Sequence, residues 1–374
     1  MNDNNILSII DFGSTKLRLG VFANHLTNSK YICDENIIPN SKNEINKSIK
    51  NIILKTEREI GRHLNKTFVM LDSHKFLSID VSIKKKTDQI NINENIIKQF
   101  IQEIKVEIER NYKKFKILHI VILRYVLDDK ESNNLPKNIK VNNLIIDIKF
   151  ILTPNEIIDD MRELFKDNQT SISNIFCSTY IKTLNYLKYF DKFDTKVFID
   201  IGSSKTSLII YKYEKLKYIN YIPIGGEHIT KDISNVLKIS LDESENIKKK
   251  LNQTNANLNN NEENSLIIKV VHARIEEIID LSFQTLESSN ISLKQNSILI
   301  FTGNGSKILS KNSIFLKEKY NIFDQMSFFE ENSDLICSSG HNYLLSEKKD
   351  EAILSQKKRL KRGIFEKLFY IFSK

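Results

Sequence analysis

The sequence predicts an α/β protein made of two similar halves, with a small αβ unit inserted in the first half and an amphipathic helix at the C-terminus. Three observations carry this. A strand, an Asp-x-Gly-Ser turn and a second strand occur once in each half; helical and extended patterns alternate between them; and 374 residues exceed the size at which one hydrophobic core usually stops growing. Hydrophobic residues at 40% and charged residues at 28% lie in the globular range, so cores of ordinary size can form.

The elements follow in order. Ile6 to Asp11 is an apolar run ending in Phe12-Gly13-Ser14-Thr15, and Lys16 to Phe22 alternates again, which predicts a hairpin. Ile45, Ile49, Ile52, Ile53, Ile60 and Leu64 recur at helical spacing and predict a helix over 44–64. Strands are expected at Phe68 to Leu71, Phe76 to Ile83, Ile117 to Leu123 and Leu144 to Leu152, with a helix at Ile96 to Ile108, which together make a compact αβ unit. Glu156 to Phe165 and Ile181 to Phe190 read as helices. Val197 to Ile201, Gly202-Ser203-Ser204-Lys205 and Thr206 to Tyr211 then repeat the opening hairpin. A third strand, Leu216 to Ile222, leads to Pro223-Ile224-Gly225-Gly226. Residues 252–264 are polar and of low complexity, and predict a mobile loop. A helix over Ile267 to Leu286, a strand over Ser297 to Phe301 and a glycine turn over Thr302 to Ser306 complete the pattern.

Composition excludes several classes. Cys33, Cys177 and Cys337 are far apart with no CxxC pair, which argues against a disulfide framework or a zinc site and suits a reducing cytosol. The polar stretch Met1 to Asn5 has neither a basic region nor an apolar signal core, and no apolar run approaches the ~18 residues of a bilayer span. The formal charge of +9 is concentrated at one end: Lys357, Lys358, Arg359, Lys361, Arg362, Lys367 and Lys374 stand against Glu366 alone. A nearly neutral body with a basic tail is poorly suited to nucleic acid.

The two turns, Asp11-Phe12-Gly13-Ser14-Thr15-Lys16 and Asp200-Ile201-Gly202-Ser203-Ser204-Lys205-Thr206, can each present backbone N–H groups and hydroxyls to phosphate oxygens. Asp11 and Asp200 end their strands where each could hold Mg²⁺ through water, and Lys16 could neutralise phosphate charge. One such turn alone is a common hairpin; two in matching settings predict a nucleotide site. Glu245 and Lys248, at i and i+3 on a helix, could bracket an adenosine while the backbone of Gly303 to Gly305, ending in Ser306, approaches from the other side; a plain helix ion pair is the simpler reading.

The order of two phosphate turns, a Gly225-Gly226 connector and the Thr302-Gly303-Asn304-Gly305-Ser306 turn is that of the superfamily of actin, heat-shock chaperones and sugar kinases. Within it the chain resembles the FtsA family of bacterial cell division. Leu216 to Ile233 is similar to that family's run from a strand through the Gly-Gly connector into a Thr-x-Asp-Ile helix, Leu241 to Lys248 resembles its next helix, and Ala273 to Ile279 a later one. The resemblance runs from residue 6 to the C-terminus and is diluted between 24 and 115.

It implies a duplicated actin-like (ribonuclease H-like) fold. Residues 1–66 and 149–195 would form the first actin-like domain, 67–148 the inserted domain, 196–227 and 296–350 the second, 228–295 a subdomain, and 351–374 a linker with a membrane-targeting helix. It further implies ATP with Mg²⁺, self-association into filaments, binding of the FtsZ C-terminal peptide with Arg274 as a contact, other division partners on the insert, and a place on the cytoplasmic face of the inner membrane at the division site. For Arg274, an ion pair with Glu277 at i+3 is the plainer reading.

The second turn departs from the family's Asp-x-Gly-Gly-Gly-Thr-Thr-Asp: Ser203, Ser204, Lys205 and Ser207 replace two glycines, the first Thr and the final Asp, and Asn304 replaces the middle glycine of the third turn. Nucleotide binding with weak or no hydrolysis is therefore expected, and no residue is assigned as a catalytic base. In the tail, Leu360, Ile364, Leu368 and Ile371, joined by Phe365 and Phe372, make an apolar stripe flanked by cations, the pattern of a helix lying in an anionic membrane surface. Two alternatives remain from the same superfamily: a PilM-like pilus-assembly scaffold, which ordinarily lacks such a tail, and a small-molecule kinase, which would need a carboxylate base and a larger substrate lobe.

Overall fold

The computed structural model describes residues 6–23, 30–37, 41–132, 134, 136, 139–253, 262–287, 293, 296–309 and 320–346. β1 (Ile6–Phe12), β2 (Lys16–Ala23) and β3 (Lys30–Asn36) form an antiparallel meander. α1 (Lys42–Ile60) is capped by the Ser41 hydroxyl, which accepts the Glu44 N–H, and it buries Ile49, Ile52 and Ile53 along the predicted stripe. This crossover lets β4 (Lys66–Leu71) pair parallel to β1.

The chain then leaves the sheet for β5 (Leu77–Lys86), β6 (Asn91–Ile92), α2 (Glu94–Asn111), β7 (Phe115–Leu127), β8 (Lys130–Ser132), β9 (Ile139–Lys140) and β10 (Asn143–Pro154). An antiparallel sheet in the order β5-β10-β7-β8 has its own core, in which Ile97, Ile101 and Ile108 of α2 meet Leu144, Ile146 and Ile148. The period of two along β10 turns these residues to one face. α3 (Asn155–Asp167) leads back to β11 (Ser171–Cys177), which pairs with β4 and completes the sheet β11-β4-β1-β2-β3. α4 (Ser178–Tyr186) begins on the next residue.

The second half repeats this plan. β12 (Thr195–Ile201), β13 (Thr206–Lys212) and β14 (Lys215–Ile222) form a meander; α5 (Gly226–Leu237), α6 (Leu241–Gln253) and α7 (Glu262–Glu287) follow; β15 (Ser297–Thr302) and β16 (Gln325–Phe328) add in parallel. The order β14-β13-β12-β15-β16 matches β3-β2-β1-β4-β11. Every residue of β12 is buried, because both faces are covered. Val197, Ile199 and Ile201 pack with Ile229 of α5 and Ile275 of α7, while Phe198 turns to the core shared with the first half. α8 (Ser333–Leu345) returns to pack on β1 and β2, tying the halves together.

The strands and helices expected from periodicity are present within a few residues of their expected bounds. β3, β11, β16 and α8 are additions that the pattern did not predict. The predicted helix over Ile181 to Phe190 starts earlier, at Ser178, and ends in a 3₁₀ turn, Leu187–Tyr189. The polar stretch at 252–264 is helical at both ends, in α6 through Gln253 and in α7 from Glu262, so the predicted loop narrows to 254–261, outside the described residues. The predicted tail helix, with Leu360, Ile364, Phe365, Leu368, Ile371 and Phe372, also lies outside them.

Candidate functional site: a junction of glycine turns and buried ions

The two hairpin turns close with the same bond: the Gly13 N–H donates to the Lys16 carbonyl at 3.1 Å and the Gly202 N–H to the Lys205 carbonyl at 2.9 Å. Around the second turn the other glycine segments converge. The Gly226 and Glu227 N–H groups donate to the carbonyls of Gly202 and Ser203 at 2.9 and 2.8 Å, so the connector lies flat on the turn. A Cβ at Gly225 would sit 2.6 Å from the Ser203 carbonyl oxygen. Gly303 has φ +83°, and a Cβ there would come within 2.5 Å of both Asp200 Oδ1 and the Ile201 carbonyl; only glycine meets both demands. Gly305 follows on a short 3₁₀ turn, Asn304–Ile308, in which the Ser306 hydroxyl donates back to the Gly303 carbonyl at 2.7 Å.

Glu245 and Lys248 do more than pair with each other. Lys248 Nζ donates to the Gly226 carbonyl at 2.9 Å and to Thr230 Oγ1 at 2.7 Å, and the Thr230 hydroxyl donates to Glu245 at 2.6 Å. The pair therefore fastens α6 to the Gly-Gly connector. The structure thus brings Asp200, Gly202, Ser203, Gly225, Gly226, Glu245, Lys248, Gly303, Gly305 and Ser306 into one region, with Ser204, Lys205 and Thr206 in the turn itself. Of these, Thr206 bonds the Ile224 carbonyl at 2.7 Å.

The charged residues behave differently from expectation. Asp11 accepts from Arg18 Nη1 at 2.7 Å and from the Ser178 hydroxyl at 2.6 Å. Asp200 accepts from Lys182 Nζ at 3.2 Å and from the Thr302 hydroxyl at 3.2 Å. Lys16, expected on phosphate, pairs with Asp34 at 2.9 Å beside Gly13, Ser14 and Thr15. Lys205, in the matching turn, is buried, with its Nζ 2.6 Å from Ser207 Oγ and 3.5 Å from Asp72 Oδ2. In both cases a carboxylate of this chain takes the cation.

Residues that periodicity could not flag hold the junction together. α4 begins with Ser178 on Asp11; Thr179 places its N–H on Asp72 at 3.0 Å; and Lys182, one turn on, reaches Asp200 and, at 3.1 Å, Glu331. Glu331 also accepts from the Tyr186 hydroxyl at 2.8 Å and the Gly303 N–H at 3.1 Å. Burial favours the neutral forms, yet Asp200 is held below the usual carboxylate range by Lys182 and Lys205, and Lys182 is raised by Asp200 and Glu331. Burial pushes Glu331 upward, against the pull of Lys182.

These residues offer no direct ligand set for Mg²⁺, which the sequence predicted to be held through water. Asp11, Asp72, Asp200 and Glu331 each already face a cation of this chain, and no group of three potential metal-ligating side chains occurs among the described residues.

The family model described as cell division protein FtsA matches residues 197–327, from β12 into β16, which includes the second turn, the connector and the third turn. The resemblance to FtsA stands. A Helicobacter pylori cell division protein FtsA is 26% identical over 132 residues, covering 35% of this chain and 27% of the relative. The Bacillus subtilis FtsA is 22% identical over 267 residues, covering 66% of this chain and 59% of the relative, so the matches span less than two thirds of either FtsA. Among solved structures, the type IV pilus PilM–PilN complex aligns over 92% of this chain and 94% of that one, at a TM-score of 0.63 and 12% identity. MreB5 of Spiroplasma citri bound to ADP covers 92% and 97%, with a TM-score of 0.50 and 11% identity. The fold is actin-like.

Proposed function

We propose that this chain is an actin-like cell-division scaffold of the FtsA kind, which tethers FtsZ filaments to the cytoplasmic membrane and helps assemble the division machinery. The observation that carries the reading is the overlap between the FtsA match over 197–327 and the converging glycine segments. An adenine nucleotide would lie along Gly202 to Thr206, Gly225-Gly226 and Gly303 to Ser306, with Glu245 and Lys248 beside the adenosine. The MreB5 structures bound to ADP and to AMPPNP support a nucleotide in this fold. Hydrolysis would be slow or absent, since the carboxylates at the junction are engaged by cations and none is free to orient water.

The region around 228–295 would take the acidic FtsZ C-terminal peptide. A surface hollow of ≈ 290 Å³ lies between α5 and α7, lined in part by Asp232, Val236, Val270 and Arg274. Arg274 is bonded through Nε to Asp232 at 2.5 Å and through Nη2 at 2.9 Å, and it also meets Glu277. The predicted Glu277 pair is present, but the bidentate bond to Asp232 is the larger commitment, so a peptide carboxylate would exchange with the exposed Glu277. Residues 357–374 would lay their apolar stripe on anionic lipid, and self-association would give filaments.

Fluorescence anisotropy with the FtsZ peptide tests the reading: saturable binding that weakens in Arg274→Glu is expected, and no binding by the wild-type chain contradicts it. Co-sedimentation with anionic liposomes should be lost on deleting 357–374. A pilus scaffold is the second reading, favoured by the PilM likeness over 92% of the chain; it would be supported by intact folding with neither FtsZ-peptide nor lipid binding.

A further inference from the structure

The four carboxylates at the junction come from both halves. Asp11 ends β1 and Asp72 follows β4 in the first sheet; Asp200 ends β12 and Glu331 follows β16 in the second. Between them stand Lys182, from α4, and Lys205, from the second turn, each 7% exposed. Lys182 Nζ is 3.2 Å from Asp200 and 3.1 Å from Glu331, and Lys205 Nζ crosses from the second half to Asp72 of the first at 3.5 Å. Arg18 completes the set on Asp11 at 2.7 Å.

We propose that Lys182 and Lys205 take the part of a divalent cation at this junction, so that the chain binds no Mg²⁺ there and bridges its halves with its own ammonium groups. The chemistry favours this in two ways. Mg²⁺ needs oxygen ligands at ~2.0–2.1 Å in near-octahedral order and keeps several waters, whereas the Asp200 and Glu331 oxygens are occupied by an ammonium and by donors from Thr302, Tyr186 and Gly303. A dication brought to these carboxylates would also face Lys182 and Lys205 at close range, in a buried setting that screens repulsion poorly. Lysine suits the role, being a compact point charge with three donors that can serve two carboxylates at once. In its nucleotide arm the inference rests on the reading above: phosphates at the second turn would be met without a metal.

The test uses the full chain in two arms. In thermal melting with Mg²⁺ alone, the wild-type midpoint should be the same in EDTA and in excess Mg²⁺, while Lys182→Met and Lys205→Met should melt lower in EDTA and recover part of the loss when Mg²⁺ is added to the freed carboxylates. A Mg²⁺-dependent rise in the wild type, or no recovery in either variant, overturns the proposal. If Lys182→Met does not fold, Lys205→Met and the wild-type comparison decide. In calorimetry with ATP, wild-type affinity should be unchanged by EDTA, and a fall of more than about tenfold overturns the proposal. Absence of ATP binding in both buffers removes the nucleotide reading instead, and leaves the melting arm to judge the lysines.

Discussion

The first and second hairpins share a backbone and differ in how they neutralise an aspartate. In the register of β1 and β2, Asp11 stands opposite Arg18; in the register of β12 and β13, Asp200 stands opposite Ser207. The first half therefore supplies its cation from the next strand. The second half has a hydroxyl at the matching position: Asp200 takes its ion pair from Lys182 of α4, while Lys205 of the turn donates to that hydroxyl and pairs with Asp72. The turn lysines differ as well: Lys16 pairs with Asp34 at a partly exposed edge, while Lys205 is buried against Asp72. The two hairpins share the hydrogen-bond pattern and differ in charge balance. The second half thus depends on contacts between halves where the first depends on a local one.

Breaking the second solution should have the largest effect. Lys182→Met leaves Asp200 and Glu331 buried without the ammonium they share, and should cost about 3–5 kcal/mol in urea unfolding. A loss under about 1 kcal/mol would mean that the cation is dispensable. Next comes Gly303→Ala, which adds a Cβ at positive φ and against Asp200 Oδ1; a loss of about 1–3 kcal/mol is expected in the same assay. The smallest effect belongs to the first half's exposed pair. Lys16→Ala should change stability by no more than about 1 kcal/mol, and less in high salt.

A reactivity measurement sharpens the picture of the shared core. Cys33, Cys177 and Cys337 are buried, and burial raises all three thiols above the ordinary range, with Asp72 adding to the effect at Cys177. None should react with a thiol-specific disulfide reagent in the native protein, and all should react on unfolding. Rapid native labelling of Cys177 or Cys337 would show that the core between the halves opens readily.

What the sequence disclosed was local. Each hairpin was legible because its strands alternate or run apolar and its turn carries Asp, Gly and Ser in a fixed order, and the helices because Ile recurs at helical spacing. β11 and β16 were not, because short strands that add in parallel to distant partners leave little periodic signal. The partners of the aspartates were hidden for the same reason: Glu331 and Asp200 are 131 positions apart by their numbers, and nothing near Lys182 marks it as ionic. Lys205 was visible as a departure within the turn, but its burial against Asp72, set by packing of distant segments, was not. Arg274 shows both cases at once, with Glu277 predictable from helix spacing and Asp232, on α5, set by packing.

The two halves differ in where the buried aspartate finds its cation, Arg18 of its own hairpin for Asp11 and Lys182 of α4 for Asp200, and a double-mutant cycle on Lys182 and Asp200 measures the second arrangement. Unfolding free energies of the wild type, Lys182→Met, Asp200→Asn and the double variant give the coupling between the two side chains. A coupling at the upper end of the ~0.5–3 kcal/mol seen for residues in contact is expected, with the double variant more stable than Lys182→Met alone. A coupling near zero, or a double variant that loses the sum of both single effects, would contradict it.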